Sequence, residues 1–372
     1  MKLKRLTATL FAVSTISALA ACDFSFTSSS KKLSYWDIDD VDSSVIESEI
    51  DENDYTQNLL VSNNKIGDFP CNTATSGKKG ENYKQISTTI NTKRVSDAMG
   101  DENLRSLGTQ NILVIPVMFK NYKETATDAF RQSIFQTYFG KAEDTGWESL
   151  SSYYYKSSFG NLLLNGTVSE WFDYGLTTDE YVALTSTDVY GKEVANFDQT
   201  LDVLDKAIAW YKNRYKTDCK EFDNDNDGRI DGVWLVYSAP SMENNPNMGQ
   251  KFWAYTFSKY GQSSDRESPI PFRYCWASID FLSKGFRNDA HTIIHETGHM
   301  LGLDDYYDIN GSVSPCGGTV MMDCNIGDHD SFSKFGLEWV NPYLVSGDCT
   351  IDLSPRMANK PTDHCGLVLD ID

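Results

Sequence analysis

Apolar runs of two kinds organise this chain of 372 residues. The first is Leu6 to Ala21, largely apolar, preceded by Lys2, Lys4 and Arg5 and closing on small residues. A basic start, an apolar middle and a small-residue end mark a secretory leader, which places residues 1–21 outside the fold. The second kind is a series of shorter runs that opens with Asn111-Ile-Leu-Val-Ile-Pro-Val-Met-Phe119, a pattern that predicts a buried strand. Helical spacing follows over 127–139, then a strand over Leu162–Trp171. A long helix over Phe197–Tyr215 carries Leu201, Leu204, Ile208 and Tyr211 on one face. Gly232–Ser238 and Tyr274–Phe281 read as two more strands. A helix after them is capped by Asn288 or Asp289 and ended by Gly302.

Alternation of strand and helix predicts a mixed α/β domain of the α+β kind, with helices on a twisted mixed sheet, over residues 106–345. Before it, residues 22–105 are rich in Ser, Asp, Asn, Thr and Lys with few clustered apolar positions, and read as a tether with a candidate pro-region. After it, 346–372 reads as the start of a β-rich segment ending in the strand Leu367–Asp372, which stops as though the chain continued. No apolar run after the leader is long enough to span a bilayer.

Chemistry concentrates at His295-Glu-Thr-Gly-His299. On a helix, four residues advance the chain by about 400° and about 6 Å, so the two imidazoles share one face and can grip one ion. Glu296 lies beside them, able to reach a water at that ion but poorly placed as a ligand, and reads as a general base. The chain has only five histidines, so two at ligand spacing around an acid argue against a merely amphipathic helix. Gly298 in mid-helix costs roughly 1 kcal/mol against alanine, a cost that helix stability alone does not explain. Three residues past His299, Gly302 permits a sharp turn that can return Asp305 to the metal as a third ligand, with Asp304 as its neighbour and rival.

A second constellation is Asp223-Asn-Asp-Asn-Asp-Gly-Arg-Ile-Asp231. Oxygens at Asp223, Asp225 and Asp227, a turn glycine at 228, the carbonyl of Arg229 and the carboxylate of Asp231 reproduce most of a calcium loop. Trp234 stands where an EF-hand needs a bidentate glutamate, so the expectation is a calcium site of another kind.

Charge and cysteines narrow the setting. The net charge is −20, and loss of the leader with its three basic residues leaves 30 basic against 53 acidic groups. Such a balance excludes a nucleic-acid partner. The leader ends Leu19-Ala20-Ala21-Cys22, which resembles a bacterial lipobox, so Cys22 is expected to carry a lipid that anchors the exported protein at the cell surface. Export permits disulfides among the other seven cysteines. Cys316 with Cys324, and Cys349 with Cys365, are the pairs considered, leaving Cys71, Cys219 and Cys275, among which Cys71 is the candidate odd thiol.

The string HETGHMLGLDDYYD, followed by Thr319-Val-Met-Met-Asp323 and by Ile326 to Pro342, resembles the immune inhibitor A-like (M6 and M6-like) zinc metalloproteases over roughly residues 110–345. The resemblance implies a zincin-like fold, with a sheet-and-helix upper half, an irregular lower half and a cleft between them holding zinc. It implies His295, His299 and Asp305 as zinc ligands, Glu296 as the catalytic base, and Met321 or Met322 as the methionine of a turn below the metal. Other zincin branches use a distant carboxylate, which keeps Glu338 and Asp323 open as the third ligand. The reaction implied is hydrolysis of a protein or peptide substrate. Tyr307 and His329 are the candidate donors to the oxyanion, and the strand around Trp276–Phe281 is the candidate edge for a bound peptide. Two rivals stand beside it: a surface lipoprotein that keeps the fold and binds without hydrolysis, and a zinc hydrolase acting on non-peptide bonds.

Overall fold

A computed structural model describes residues 104–184, 197–241, 249–260, 264–284, 287–308 and 315–339, with the short strands Lys84–Gln85, Tyr343–Val345 and Val368–Asp370. The expected leader, Cys22 and most of the expected tether lie outside the described residues, as do Cys71, Cys349 and Cys365.

The domain is built on a sheet whose main strands are β1 (Gly108–Met118), β2 (Leu162–Val168), β3 (Val233–Tyr237), β4 (Tyr255–Ser258) and β5 (Arg273–Ser278). Their order across the sheet is β2-β1-β3-β5-β4. The first four run parallel, and β4 closes one side antiparallel to β5. A parallel sheet needs cover on both faces, and alternate residues divide between two cores. Leu113, Ile115, Val117, Leu235, Tyr237, Tyr274 and Trp276 pack against Val203, Leu204, Ile208 and Tyr211 of the long helix Phe197–Tyr215. Ile112, Val114, Trp234, Val236, Cys275 and Ala277 face the other way, onto the helices α1 (Asp128–Phe139), α2 (Leu150–Ser157) and α3 (His291–Met300). The result is a mixed α/β domain with helices on both faces of a mixed sheet.

Pro116 sits in β1, in the middle of the sheet. The amide of Leu113 donates to Gly232 and the carbonyl of Val117 accepts from Ser238, so odd positions of β1 face β3 and even ones face β2. Pairing with β2 stops at Val114 opposite Val168, and pairing on that side resumes only at Val117, opposite Phe172 of the short strand Phe172–Asp173. The missing N–H of Pro116 therefore falls in that gap and costs no ladder bond.

The expected helices and strands are present with shifted ends. The strand expected over Leu162–Trp171 ends at Val168, and the one expected over Tyr274–Phe281 gives way to a 3-10 turn at Ile279–Leu282. The helix α3 has Ala290 at its N-cap rather than Asn288 or Asp289, although the Asp289 carboxylate accepts from the His291 amide at 2.9 Å. Its other end follows the sequence closely. Gly302 takes φ +94°, its amide donates to His299 O at 3.0 Å, and Leu303 N donates to Gly298 O at 3.0 Å, the two bonds of a Schellman turn.

Two expectations are corrected by the topology. The strand carrying Trp276 is internal, paired with β3 on one side and β4 on the other, so it offers no edge; among the described residues the terminal strand on that side is β4. Cys316 and Cys324 are free thiols. Their loop closes through the Asp323 carboxylate, which accepts from Gly318 N at 2.7 Å, and through Thr319 Oγ1, which donates to Cys316 O at 2.9 Å.

Candidate metal centre

Helix α3 is buried along most of its length, with Ile293 and Ile294 at zero exposure. Burying an isoleucine stabilises by about 1.5–3 kcal/mol, enough for the two to seat the helix under the sheet. Three side chains fix its rotation. Tyr154 Oη donates to Ile294 O at 2.8 Å, Trp234 Nε1 donates to Thr297 Oγ1 at 3.3 Å, and Thr256 Oγ1 donates to Glu296. His295, Glu296 and His299 are thereby held at the end of the sheet bordered by β4.

Each histidine is oriented by a main-chain carbonyl. His295 Nδ1 lies 3.0 Å from Met321 O and His299 Nδ1 lies 2.7 Å from Leu303 O. A carbonyl only accepts, so both Nδ1 atoms carry the proton and both Nε2 atoms of the neutral rings present a lone pair. Asp305 Oδ1 meets them at 2.9 Å and 3.2 Å. Two imidazole lone pairs and a carboxylate oxygen converge within 4.8 Å with no proton of the neutral rings between them. Electrostatically this arrangement calls for a cation. Without one, a proton is the substitute: burial opposes the charge on His299, yet its hydrogen bond to Asp305 and the nearby charges of Glu296 and Asp305 raise it to about 9. Asp305 is the counterpart. Burial alone would raise its pKa, but hydrogen bonds from His295 and His299 hold it well below the carboxylate range.

The donor set fits zinc. Two imidazole nitrogens and a carboxylate oxygen are accepted zinc ligands, and three protein ligands leave a fourth position for a reactant. Among the described residues, neither Asp304, Asp323 nor Glu338 joins the cluster. Asp323 is turned to Gly318 N, whereas the turn at Gly302 returns Asp305 to the histidines. Tyr307 stands in the same place, its hydroxyl donating to Asp305 Oδ2 at 2.8 Å and its ring 6.4 Å from that of His295.

Gly298 has a packing cause. A Cβ there would stand 2.5 Å from Met322 Sδ, so the glycine admits the methionine directly beneath the helix. Met321 contributes its carbonyl to His295 instead. Compared with models of known protein families and with curated proteins, the chain matches none of them.

His329 does not take the place expected of an oxyanion donor. It has zero exposure and is enclosed by the rings of Tyr153, Tyr154 and Trp339 at 5.6, 5.6 and 5.8 Å, where no substrate reaches it. Two residues of β4 join the site instead without having been foreseen. Thr256 contacts Glu296, and Tyr255 stacks on Trp276 at 5.6 Å with its phenol pKa pushed up by burial and by the charges of Glu296 and Asp305. No spacing rule in the sequence ties β4 to a helix about forty residues away; only pairing with β5 does so.

The acidic loop is a second cluster. Asp223, Asp225 and Asp227 bring one oxygen each within 4.8 Å of one another. Asp231 stands outside the trio: its Oδ2 accepts from Asn224 N at 2.6 Å. Burial foremost, with the charges of Asp225 and Asp227, pushes its pKa up to about 7. The carbonyls of Gly228 and Ile230 accept from Ile270 and Phe272, so the alternating carbonyl of Arg229 points the other way.

Proposed function

We propose that this chain is an exported zinc endopeptidase of the immune inhibitor A-like (M6-like) kind, with a zincin-like fold, anchored through a lipid on Cys22. The observation that carries the reading is the convergence of His295 Nε2, His299 Nε2 and Asp305 Oδ1, with both Nδ1 protons committed to carbonyls. When bound, zinc supplies a Lewis acid that polarises a peptide carbonyl and renders a water acidic. Glu296 takes the proton from the attacking water and delivers it to the leaving amine. Tyr307 fixes the Asp305 carboxylate through its hydroxyl, which makes it a positioning residue for the metal ligand. The outer edge of β4 is the surface along which an extended peptide can add as a further strand. The Asp223–Asp231 loop is assigned to calcium with a stabilising role, because three carboxylates this close repel one another without a cation.

Cleavage of casein, and of a peptide library read by mass spectrometry, with and without a zinc chelator tests the assignment. Chelator-sensitive cleavage is expected, and Glu296→Ala should keep zinc while turnover falls by about 10²–10⁴-fold or more. Zinc-loaded protein that cleaves neither substrate would instead indicate a silent binding protein on the same scaffold. Acylated Cys22 in the native host, found by mass spectrometry, checks the anchor.

A further inference from the structure

Glu296 follows a metal-ligand position on a helix, and its side chain has three rotatable bonds. A base that must meet a water at a fixed point gains from being held before the substrate arrives. The structure shows one contact suited to this. Thr256 Oγ1 lies 2.9 Å from Glu296 Oε2, 2.8 Å from Glu296 O and 2.9 Å from Cys275 Sγ.

We propose that Thr256 is a positioning residue for Glu296, holding Oε2 from the edge strand so that Oε1 is the oxygen offered to the reacting water. The proposal rests on the hydrolytic reading of the site. The register of the sheet produces the arrangement: Thr256 pairs directly with Cys275 across β4 and β5, so both side chains leave the same face and meet the helix together. A one-residue slip of β4 would turn Thr256 to the opposite face, away from Cys275 and the helix.

Counting protons decides which way the hydroxyl points. Thr256 has one proton and two oxygen acceptors on Glu296. Cys275 is wholly buried, and burial first and the charge of Glu296 second push its thiol up, so it keeps its proton and is a donor. The nearer acceptor for it is Thr256 Oγ1 at 2.9 Å, against Glu296 O at 3.6 Å. With the thiol donating into Oγ1, the hydroxyl proton must turn toward Glu296. A helix carbonyl is served by the amide four residues on, so the carboxylate is the acceptor in need.

Thr256→Val keeps shape and removes the hydroxyl. The expected result is a fall in kcat of about ten- to hundredfold, the range of outer-shell partners, at unchanged KM and zinc content. Thr256→Ser should restore most of it, and in a Glu296→Ala background Thr256→Val should cost nothing further. Crystals of zinc-free wild type and Thr256→Val supply a readout independent of activity: one position of the Glu296 carboxylate in the former, several or a shifted one in the latter. If Thr256 merely fastens strand to helix, Thr256→Val will lower the melting temperature while kcat and the carboxylate position stay as they were, and the proposal is overturned. Should Thr256→Val not fold, Cys275→Ala takes its place, with a smaller loss of kcat in the same direction expected and none overturning the proton order. Wild-type protein that cleaves no peptide defeats the functional reading, and the carboxylate position in the two crystals then decides the role of Thr256.

Discussion

Among the described residues two trios of side chains that could hold a metal ion gather within 4.8 Å, and they are built on opposite principles. In the acidic loop the carboxylates are turned inward to their own backbone. Asp223 accepts from Asp227 N and Gly228 N, Asp225 accepts from Asp227 N, and Asp227 accepts from Arg229 N, all between 2.8 and 3.1 Å. Gly228 at φ +93° and Asn226 at φ +59° let the chain coil tightly enough for this. In the histidine trio, the backbone bonds fall on the far side of each ring and the near side is left to converge. A loop that satisfies its own oxygens is suited to holding an ion for stability. A cluster whose backing comes from Met321, Leu303 and Tyr307 keeps its two Nε2 atoms and Asp305 Oδ1 turned toward one another.

The contrast can be broken most directly at Asp305. Asp305→Ala should abolish stoichiometric zinc and with it all activity, whereas Asp304→Ala should retain both, as read by metal analysis of purified protein. If Asp305→Ala keeps zinc and Glu338→Ala loses it, the ligand set drawn here is wrong.

A second test addresses the loop. Asp223→Ala with Asp227→Ala should erase the calcium-dependent rise in melting temperature, about 2.7 kcal/mol of stability at a hundredfold excess over Kd, and leave zinc content alone. Its pH dependence follows from Asp231. In calcium-free protein that carboxyl keeps its proton up to about 7, while an unfolded aspartate loses it near about 4. The folded state then binds the extra proton across that window, so stability falls as pH rises through it. Calcium should offset the fall, making the melting temperatures with and without it diverge as pH rises from about 4 to about 7.

Gly298→Ala sharpens the comparison from below. The added methyl meets Met322 Sδ at 2.5 Å, and overpacking of this kind costs about 1–3 kcal/mol, read as a lower melting temperature in wild-type zinc conditions. Met322→Ala should relieve much of the strain in the double variant, since the two residues share one contact. The acidic loop's own close approach, Gly228 against the backbone of Asp265 and Arg266 at 2.8 Å, is untouched by this change, and its calcium response should stay as it was. The smallest effect is expected from Tyr307→Phe, which removes the hydroxyl bonded to Asp305 Oδ2 and should weaken zinc binding about tenfold.

Periodicity and turn chemistry reached far into this protein. The 3.6-residue repeat places His295, Glu296 and His299 on their helix, and a glycine at 302 is a legible stop because only a left-handed turn ends a helix in that way. Asp305, reached by so short a turn, is likewise a local consequence. The acidic loop is legible for the same reason, since its turns are made by residues adjacent in the chain.

Whatever depends on contacts between distant segments was decided only by the folded structure. His329 has the same chemistry as His295, but Tyr153, Tyr154 and Trp339 enclose it, and nothing near it in sequence announces those rings. The strand bearing Trp276 reads as a candidate edge until β4, from an earlier part of the chain, pairs with it and becomes the edge itself. Thr256 reaches Glu296 through that same pairing. Gly298, costly by propensity alone, is explained by Met322 arriving from twenty-four residues away. Local geometry specifies which atoms are able to react, because it acts over one or two turns of chain; packing of remote segments specifies which of them stay exposed, because burial is a property of the assembled core.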